Sequence, residues 1–105
     1  MKHTLIALAL AAPLAHAEFL SGNMLYDRLN GNTSDQMLAM GYIAGVYDAG
    51  QGVLHCGPSN LTLGQITDMV KITIRDQPQN RHFSADAFVT VTVKNQWPCK
   101  KGNNT

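Results

Sequence analysis

The residues best suited to chemistry are two cysteines, Cys56 and Cys99, and the histidine that precedes the first of them, His55. A histidine beside a cysteine can activate a thiolate nucleophile, and thiolates are also frequent metal ligands. Metal binding is disfavoured because the two cysteines lie far apart in the sequence and no CxxC or HxxxH pair accompanies them. Whether the cysteines are free thiols or one disulfide depends on the compartment in which the protein works.

The N-terminus has the three parts of a secretory leader. Lys2 and His3 give a positively charged start, residues 5–12 form an apolar run, and Ala15-His16-Ala17 has the small-x-small form that signal peptidase recognises. The apolar run is too short to cross a bilayer, which needs about 20 residues. We therefore expect residues 1–17 to be a cleaved signal peptide, with an uncleaved anchor as the alternative, and residues 18–105 to be one exported domain.

Export favours a disulfide between Cys56 and Cys99, because secreted proteins with an even number of cysteines usually pair them. The bridge would close a loop of about 44 residues and contribute roughly 4 kcal/mol on the chain-entropy account. A mature domain of about 88 residues is near the lower limit for a self-sufficient core. The disulfide would therefore supply a large share of the domain's stability. An oxidised sulfur is no nucleophile, and His55 would then be a loop residue.

Other functional classes find little support in the sequence. The acidic residues Asp48, Asp68 and Asp76 are dispersed, and no GxSxG, HExxH or glycine-rich phosphate loop is present. Seven acidic residues nearly balance eight basic ones, so the chain lacks the basic surface that nucleic acid or anionic lipid requires. We expect a protein that is not an enzyme, has no cofactor and binds no metal, nucleic acid or, once its leader is removed, membrane.

Capping residues and hydrophobic spacing predict three helices. Ser21 caps a short helix that ends at residues 30–32, where Asn and Gly accept the left-handed conformation. Thr33 or Ser34 caps a longer helix, and Thr62 with Gln65 forms a capping box for a third. Apolar residues recur at helical spacing in the last two, which predicts their buried faces: Met37, Leu38, Tyr42, Val46 and Ala49 in one, and Leu63, Ile66, Met69, Val70 and Ile74 in the other.

The last segment carries conflicting signals. Residues 88–93 are mostly β-branched and alternate, which favours a strand. A single strand beside three helices would have no pairing partner, so we expect a fourth helix from Ser84 to Trp97. The predicted fold class is therefore all-α, a small four-helix domain with one disulfide.

Five segments of the chain occur in the order found in one known family. They are residues 19–25 (FLSGNML), 41–49 (GYIAGVYDA), 56–65 (CGPSNLTLGQ), 75–82 (RDQPQNRH) and the closing 97–99 (WPC). Over essentially the whole mature chain, the sequence resembles the Rap/Tai immunity proteins, which protect bacteria against type VI secretion amidase toxins.

The resemblance implies a periplasmic, all-helical protein, usually a homodimer, that binds a peptidoglycan amidase effector and plugs its active-site cleft. It also supports a helix for the last segment. Many members carry a second cysteine pair that links the first two helices, and Leu29 and Ala39 occupy those positions here. We expect the first helix to be less firmly tethered as a result.

Two loops, residues 51–59 and 77–82, are the segments expected to enter the partner's cleft. The predicted contact residues are Gln51 and His55 in the first loop, Gln79, Arg81 and His82 in the second, and Asp76 just before the second loop. Arg81 and Asp76 could instead form a local ion pair of at most about 1 kcal/mol. The alternative hypotheses are a small periplasmic stress chaperone and an orphan binding protein of the same fold.

Overall fold

The computed structural model describes residues 19–100, and the predicted signal peptide lies outside the described residues. The described part contains no β-strand. It consists of four α-helices and one 3₁₀ turn: α1 (Gly22–Leu29), α2 (Thr33–Gly50), α3 (Leu63–Asp76), the turn Pro78–Asn80 and α4 (Ala85–Gln96). The predicted all-α class is confirmed.

The last segment is helical despite its β-branched residues. α4 buries Phe88, Val89, Thr92 and Val93, which follow the spacing of one helical face. Packing of this face against the other helices outweighs local strand propensity, as it commonly does for short segments.

The beginnings of the helices depend on side-chain caps. Ser21 Oγ accepts a hydrogen bond from the Met24 amide at 3.1 Å, and Thr62 and Gln65 exchange the two bonds of the predicted capping box. The prediction for α2 was wrong, because its N-cap is Asn32 instead of Thr33 or Ser34. Asn32 Oδ1 accepts from the amide of Asp35 at 2.9 Å, while Asp35 Oδ2 accepts from the amide of Asn32 at 3.3 Å.

The predicted buried face of α2 is confirmed only in part: Tyr42 and Val46 pack against the core, but the most deeply buried residues are others. α2 buries Ala39, Ile43 and Gly50, whereas Met37 and Leu38 are exposed. Apolar residues occur on every side of this helix, so their spacing alone does not select the face that packs. In α3 the predicted face is confirmed at Ile66, Val70 and Ile74, because polar residues occupy the opposite side.

One hydrophobic core joins all four helices. Leu29 and Ala39, the positions where the resemblance places a second cysteine pair, both lie in this core. Burial of these two apolar side chains therefore helps to hold α1 and α2 in the core. The buried residues are Leu25, Leu29, Ala39, Ile43, Ile66, Val70, Ile74, Ala85, Phe88, Val89 and Val93.

The two predicted binding loops lie at opposite ends of α3. Its 14 residues span about 21 Å at 1.5 Å per residue. α4 runs back between the same ends: its first amide, of Ala85, donates to Leu20 O at 2.8 Å, and the carbonyl of Trp97, just past its last turn, accepts from the Cys56 amide at 2.9 Å. We call the end with residues 51–62 the disulfide end and the end with residues 77–84 the α1 end.

Candidate functional site

The two cysteines form a disulfide at the disulfide end. Cys56 and Cys99 are bonded, with their Cα atoms 4.8 Å apart, as the sequence predicted. The bridge fastens the loop that follows α2 to the segment that follows α4. Its sulfurs are covalently occupied, so His55 has no neighbouring thiolate to activate. Among residues 19–100, no three His, Cys, Asp or Glu side chains cluster as metal ligands would.

Residues 51–56, which we call the tip loop, fold tightly against the end of α2. The carbonyl of Gly50 accepts hydrogen bonds from the amides of Val53 at 2.9 Å and Leu54 at 2.7 Å. The Gly52 amide donates to His55 O at 2.7 Å, and Gly52 has a φ of 87°, a conformation that favours glycine. Backbone bonds therefore fix the shape of the loop.

Gln51 fastens the base of the tip loop with its side-chain amide. Its Nε2 donates to Gly57 O at 2.8 Å, and its Oε1 accepts from the Gly57 amide at 3.1 Å. The same Oε1 lies 3.1 Å from Nδ1 of His55. Gln51 was predicted as a partner contact, and the structure shows that its polar atoms are engaged within the loop.

His55 lies beneath the tip loop with none of its surface exposed. Its ring stacks on that of Tyr47, with centroids 4.6 Å apart. A Cβ added at Gly50 would come within 2.9 Å of His55 Nε2, so the glycine makes room for the ring. Burial lowers the pKa of His55 from its ordinary value. A partner would therefore meet the loop that covers this ring and not the ring itself.

The tip of the loop is apolar and exposed. Val53 is 77 % exposed and Leu54 is 49 % exposed, and both follow the positive-φ glycine that turns the chain. Sequence reasoning missed these two residues because it selected polar side chains as contacts. The sequence does contain a signal for them: two adjacent apolar residues lie between Gly52 and His55, in a segment that matches neither the helix nor the strand pattern.

At the α1 end, Asp76 pairs with its neighbour in the sequence. Arg75 Nε donates to Asp76 Oδ1 at 2.9 Å, and both side chains are exposed. Hydrogen bonding from Arg75 lowers the pKa of Asp76 from its ordinary value. The ion pair considered between Arg81 and Asp76 is replaced by this adjacent pair.

Arg81 is engaged within the molecule. Its Nε donates to Ile74 O at 2.8 Å and its Nη2 to Arg75 O at 2.9 Å, which satisfies carbonyls at the end of α3. Its guanidinium also lies 3.7 Å from the centre of the Tyr26 ring. The side chain thus joins α1 to the end of α3.

Gln79 and His82 are exposed at the α1 end. The His82 ring lies 4.3 Å from the ring of Phe83. Phe83 borders a shallow apolar groove of about 160 Å³, which reaches Val91 on α4. This end therefore offers polar side chains beside a small apolar surface.

The six predicted contact residues thus form two separate groups. Gln51 and His55 lie at the disulfide end, and the other four lie at the α1 end. The length of α3 separates the groups by about 21 Å. The structure does not bring them together as one site, so each end is a distinct candidate surface.

Residues 19–100 thus form an all-helical domain with an exposed apolar loop whose base is held by a disulfide. A family model for Rap1a immunity proteins matches residues 21–99, which is most of the chain. The chain therefore belongs to the Rap1a immunity protein family, as the resemblance predicted. A search of the curated proteins finds no significant match. Within residues 19–100, no helix is both long and apolar enough to traverse a bilayer.

Proposed function

We propose that the protein is a periplasmic immunity protein that binds a type VI peptidoglycan amidase effector and occludes its active site. Family membership supports an immunity role. The N-terminal leader pattern supports export, with cleavage after Ala17. The disulfide between Cys56 and Cys99 suits an oxidising compartment. Protection on this proposal needs no turnover, only obstruction of the cleft.

The tip loop is the observation that carries the proposal. It presents Val53 and Leu54 to solvent from a base fixed by the disulfide and by the side chain of Gln51. A preformed loop loses little conformational entropy on binding, and apolar side chains that fill a pocket dominate many interfaces. We propose that these two side chains enter the amidase cleft and that Gln51 and His55 support them from within.

The α1 end supplies a second, weaker contact on this proposal. Asp76, Gln79 and His82 are exposed there, whereas Arg81 is held by Ile74, Arg75 and Tyr26. Exposed polar groups at the rim of an interface usually contribute little affinity. Substitutions of these three residues should weaken amidase binding less than substitutions at the tip.

A homodimer belongs to the same proposal, with the exposed side of α2 as its surface. Met37 and Leu38 are exposed there, and a Cβ added at Gly41 or Gly45 would meet nothing within 4 Å in the described part of the chain. Two helices can approach closely at small residues. Replacement of Gly45 by Leu should shift the protein to monomer in sedimentation velocity without unfolding it, and a wild-type protein that is monomeric at high concentration would refute this part.

The decisive assay measures inhibition of purified peptidoglycan amidases encoded beside this chain. Wild-type protein should bind and inhibit one of them, and Val53→Asp with Leu54→Asp should weaken binding by at least about 100-fold. Ile72→Asp is the matched control, because Ile72 is similarly exposed but lies on α3. Equal inhibition by all three proteins would exclude the tip loop, and no inhibition by wild type would exclude these amidases as targets.

A further inference from the structure

The buried histidine beneath the tip loop has a defined tautomer. The orientation of the Gln51 amide is fixed because its Oε1 must face the Gly57 N–H and its Nε2 must face the Gly57 carbonyl. Oε1 is therefore the atom that faces His55 Nδ1, at 3.1 Å. An acceptor oxygen requires a donor, so the proton of the neutral ring is on Nδ1 and the lone pair is on Nε2.

Nε2 of His55 lies in a place that cannot accommodate a second proton. It is buried and has no hydrogen-bond partner among the described residues. It faces Gly50 so closely that a Cβ added to that glycine would be only 2.9 Å from it. Protonation would create a positive charge and a donor without an acceptor, which is costly in a buried position. The ring must then leave its place between Tyr47 and the loop.

The charged groups around this loop do not offset that cost. Asp48 follows Tyr47 on α2 and is exposed, and Lys94 and Lys100 lie at the end of α4 and beyond it. Tyr47, the titratable group stacked on the ring, has its own pKa raised by burial and then by Asp48. Burial is the sole cause that lowers the pKa of His55. In acid, neutralisation of a nearby carboxylate therefore would not by itself release the ring, and protonation of the ring is required.

We propose that His55 is a pH-sensitive latch, which holds the tip loop in its binding shape when neutral and releases it when protonated. The latched loop needs the ring, its stack on Tyr47 and its bond to Gln51. In the released loop the imidazole is in water and binds a proton with an ordinary pKa near 6.5. The ratio of latched to released protein is therefore constant above about pH 6.5. Below that pH the ratio falls by up to about tenfold per pH unit.

Release of the loop should be measured first without a partner. Two amides report on the loop, since Gly52 N donates to His55 O at 2.7 Å and Cys56 N donates to Trp97 O at 2.9 Å. Their hydrogen-exchange protection factors should fall by up to about tenfold per pH unit below pH 6.5. The protection factor of Val70, in the core of α3, should stay constant, which distinguishes release of the loop from global unfolding.

Two variants separate the latch from general effects of acid. His55→Phe keeps an aromatic ring that cannot titrate, so the protection factors of Gly52 and Cys56 should no longer depend on pH between 7.5 and 4.5. His82→Gln removes an exposed histidine at the other end of the molecule, and its loop should lose protection with falling pH as in the wild-type protein. Constant protection in the wild-type loop over this range, or the same decline in His55→Phe, would overturn the proposal. Should His55→Phe not fold, NMR titration of the wild-type imidazole gives the test: its midpoint must lie below 6.5 and coincide with loss of loop protection.

The consequence for toxin binding rests on the proposed function, whereas movement of the loop does not. In the wild-type protein, affinity for the amidase should decline together with the loop's protection as pH falls. In His55→Phe, neither the affinity nor the loop's protection should change with pH. Affinity that stays constant while the loop opens would refute the regulatory role. A failure to bind any amidase at pH 7.5 would instead count against the proposed function alone.

Discussion

The two ends of the molecule are held in different ways. At the disulfide end, a covalent bond and the side chains of Gln51 and His55 fix a loop whose exposed tip is apolar. At the α1 end, main-chain hydrogen bonds, the side chain of Arg81 and a bond between the side chains of Asn80 and Gln77 hold a segment whose exposed side chains are mostly polar. At the disulfide end, the polar side chains of Gln51 and His55 therefore hold the loop in shape, and the apolar side chains of Val53 and Leu54 form its exposed tip.

The largest effect should follow from loss of the disulfide. Cys56→Ser combined with Cys99→Ser opens a link between residues 43 positions apart, and should lower the free energy of unfolding by roughly 4 kcal/mol. Urea denaturation measures this loss. Hydrogen exchange should show that the amide of Gly52 loses protection before that of Gly22, which bonds Phe83 O at the α1 end. Simultaneous loss at both ends would show that they are not independently held.

Loss of Arg81 should be the matching change at the α1 end. Arg81→Ala removes two charged hydrogen bonds to α3 carbonyls and the contact with Tyr26, and should cost about 2 kcal/mol of stability. Arg75→Ala is the control. It removes only the exposed ion pair with Asp76, so the unfolding midpoint should not change. A stable Arg81→Ala protein would mean that backbone bonds alone hold this end.

A glycine at each end tests whether binding depends on one end more than the other. A Cβ at Gly22 would lie 2.8 Å from Arg81 O, and one at Gly57 would collide with Tyr47 Oη. Each Gly→Ala change should cost about 1 to 3 kcal/mol through overpacking. Surface plasmon resonance should show weaker amidase binding for Gly57→Ala and near wild-type binding for Gly22→Ala. The reverse order would transfer the binding surface to the α1 end.

The smallest expected effect is a gain. Gly64 lies in the first turn of α3, and an added Cβ there would have Thr62 Oγ1 at 3.9 Å as its nearest contact. Gly64→Ala should therefore stabilise the protein by up to about 1 kcal/mol through helix propensity, with no change in amidase binding. A thermal melt detects this gain. A destabilised variant would show that the disulfide end tolerates no added side chain, even outside the tip loop.

Local signals predicted much of the fold. The capping box of Thr62 and Gln65 gave the beginning of α3, and the even cysteine count together with the leader gave the disulfide. The packed face of α2 could not be predicted in this way. Met37 and Leu38 are as apolar as Ile43, and only the positions of the other helices decide which of them is buried.

The candidate site was harder to predict than the fold. A rule that selects polar loop residues identifies Gln51 and His55 but not their function, which depends on contacts with Gly57 and Tyr47 that arise only in the folded chain. The same rule overlooks Val53. The separation of the two loops follows from the length of α3 once its ends are known.

Site-specific photo-crosslinking can show which end of the protein enters the catalytic cleft of the amidase. A photoreactive amino acid is placed at Val53 on the tip loop or at Gln79 at the α1 end, and each protein is irradiated with the bound amidase. We expect the label at position 53 to crosslink to residues lining the catalytic cleft and the label at position 79 to reach at most the rim. Crosslinks to the cleft from position 79, with none from position 53, would show that the tip loop does not enter the cleft.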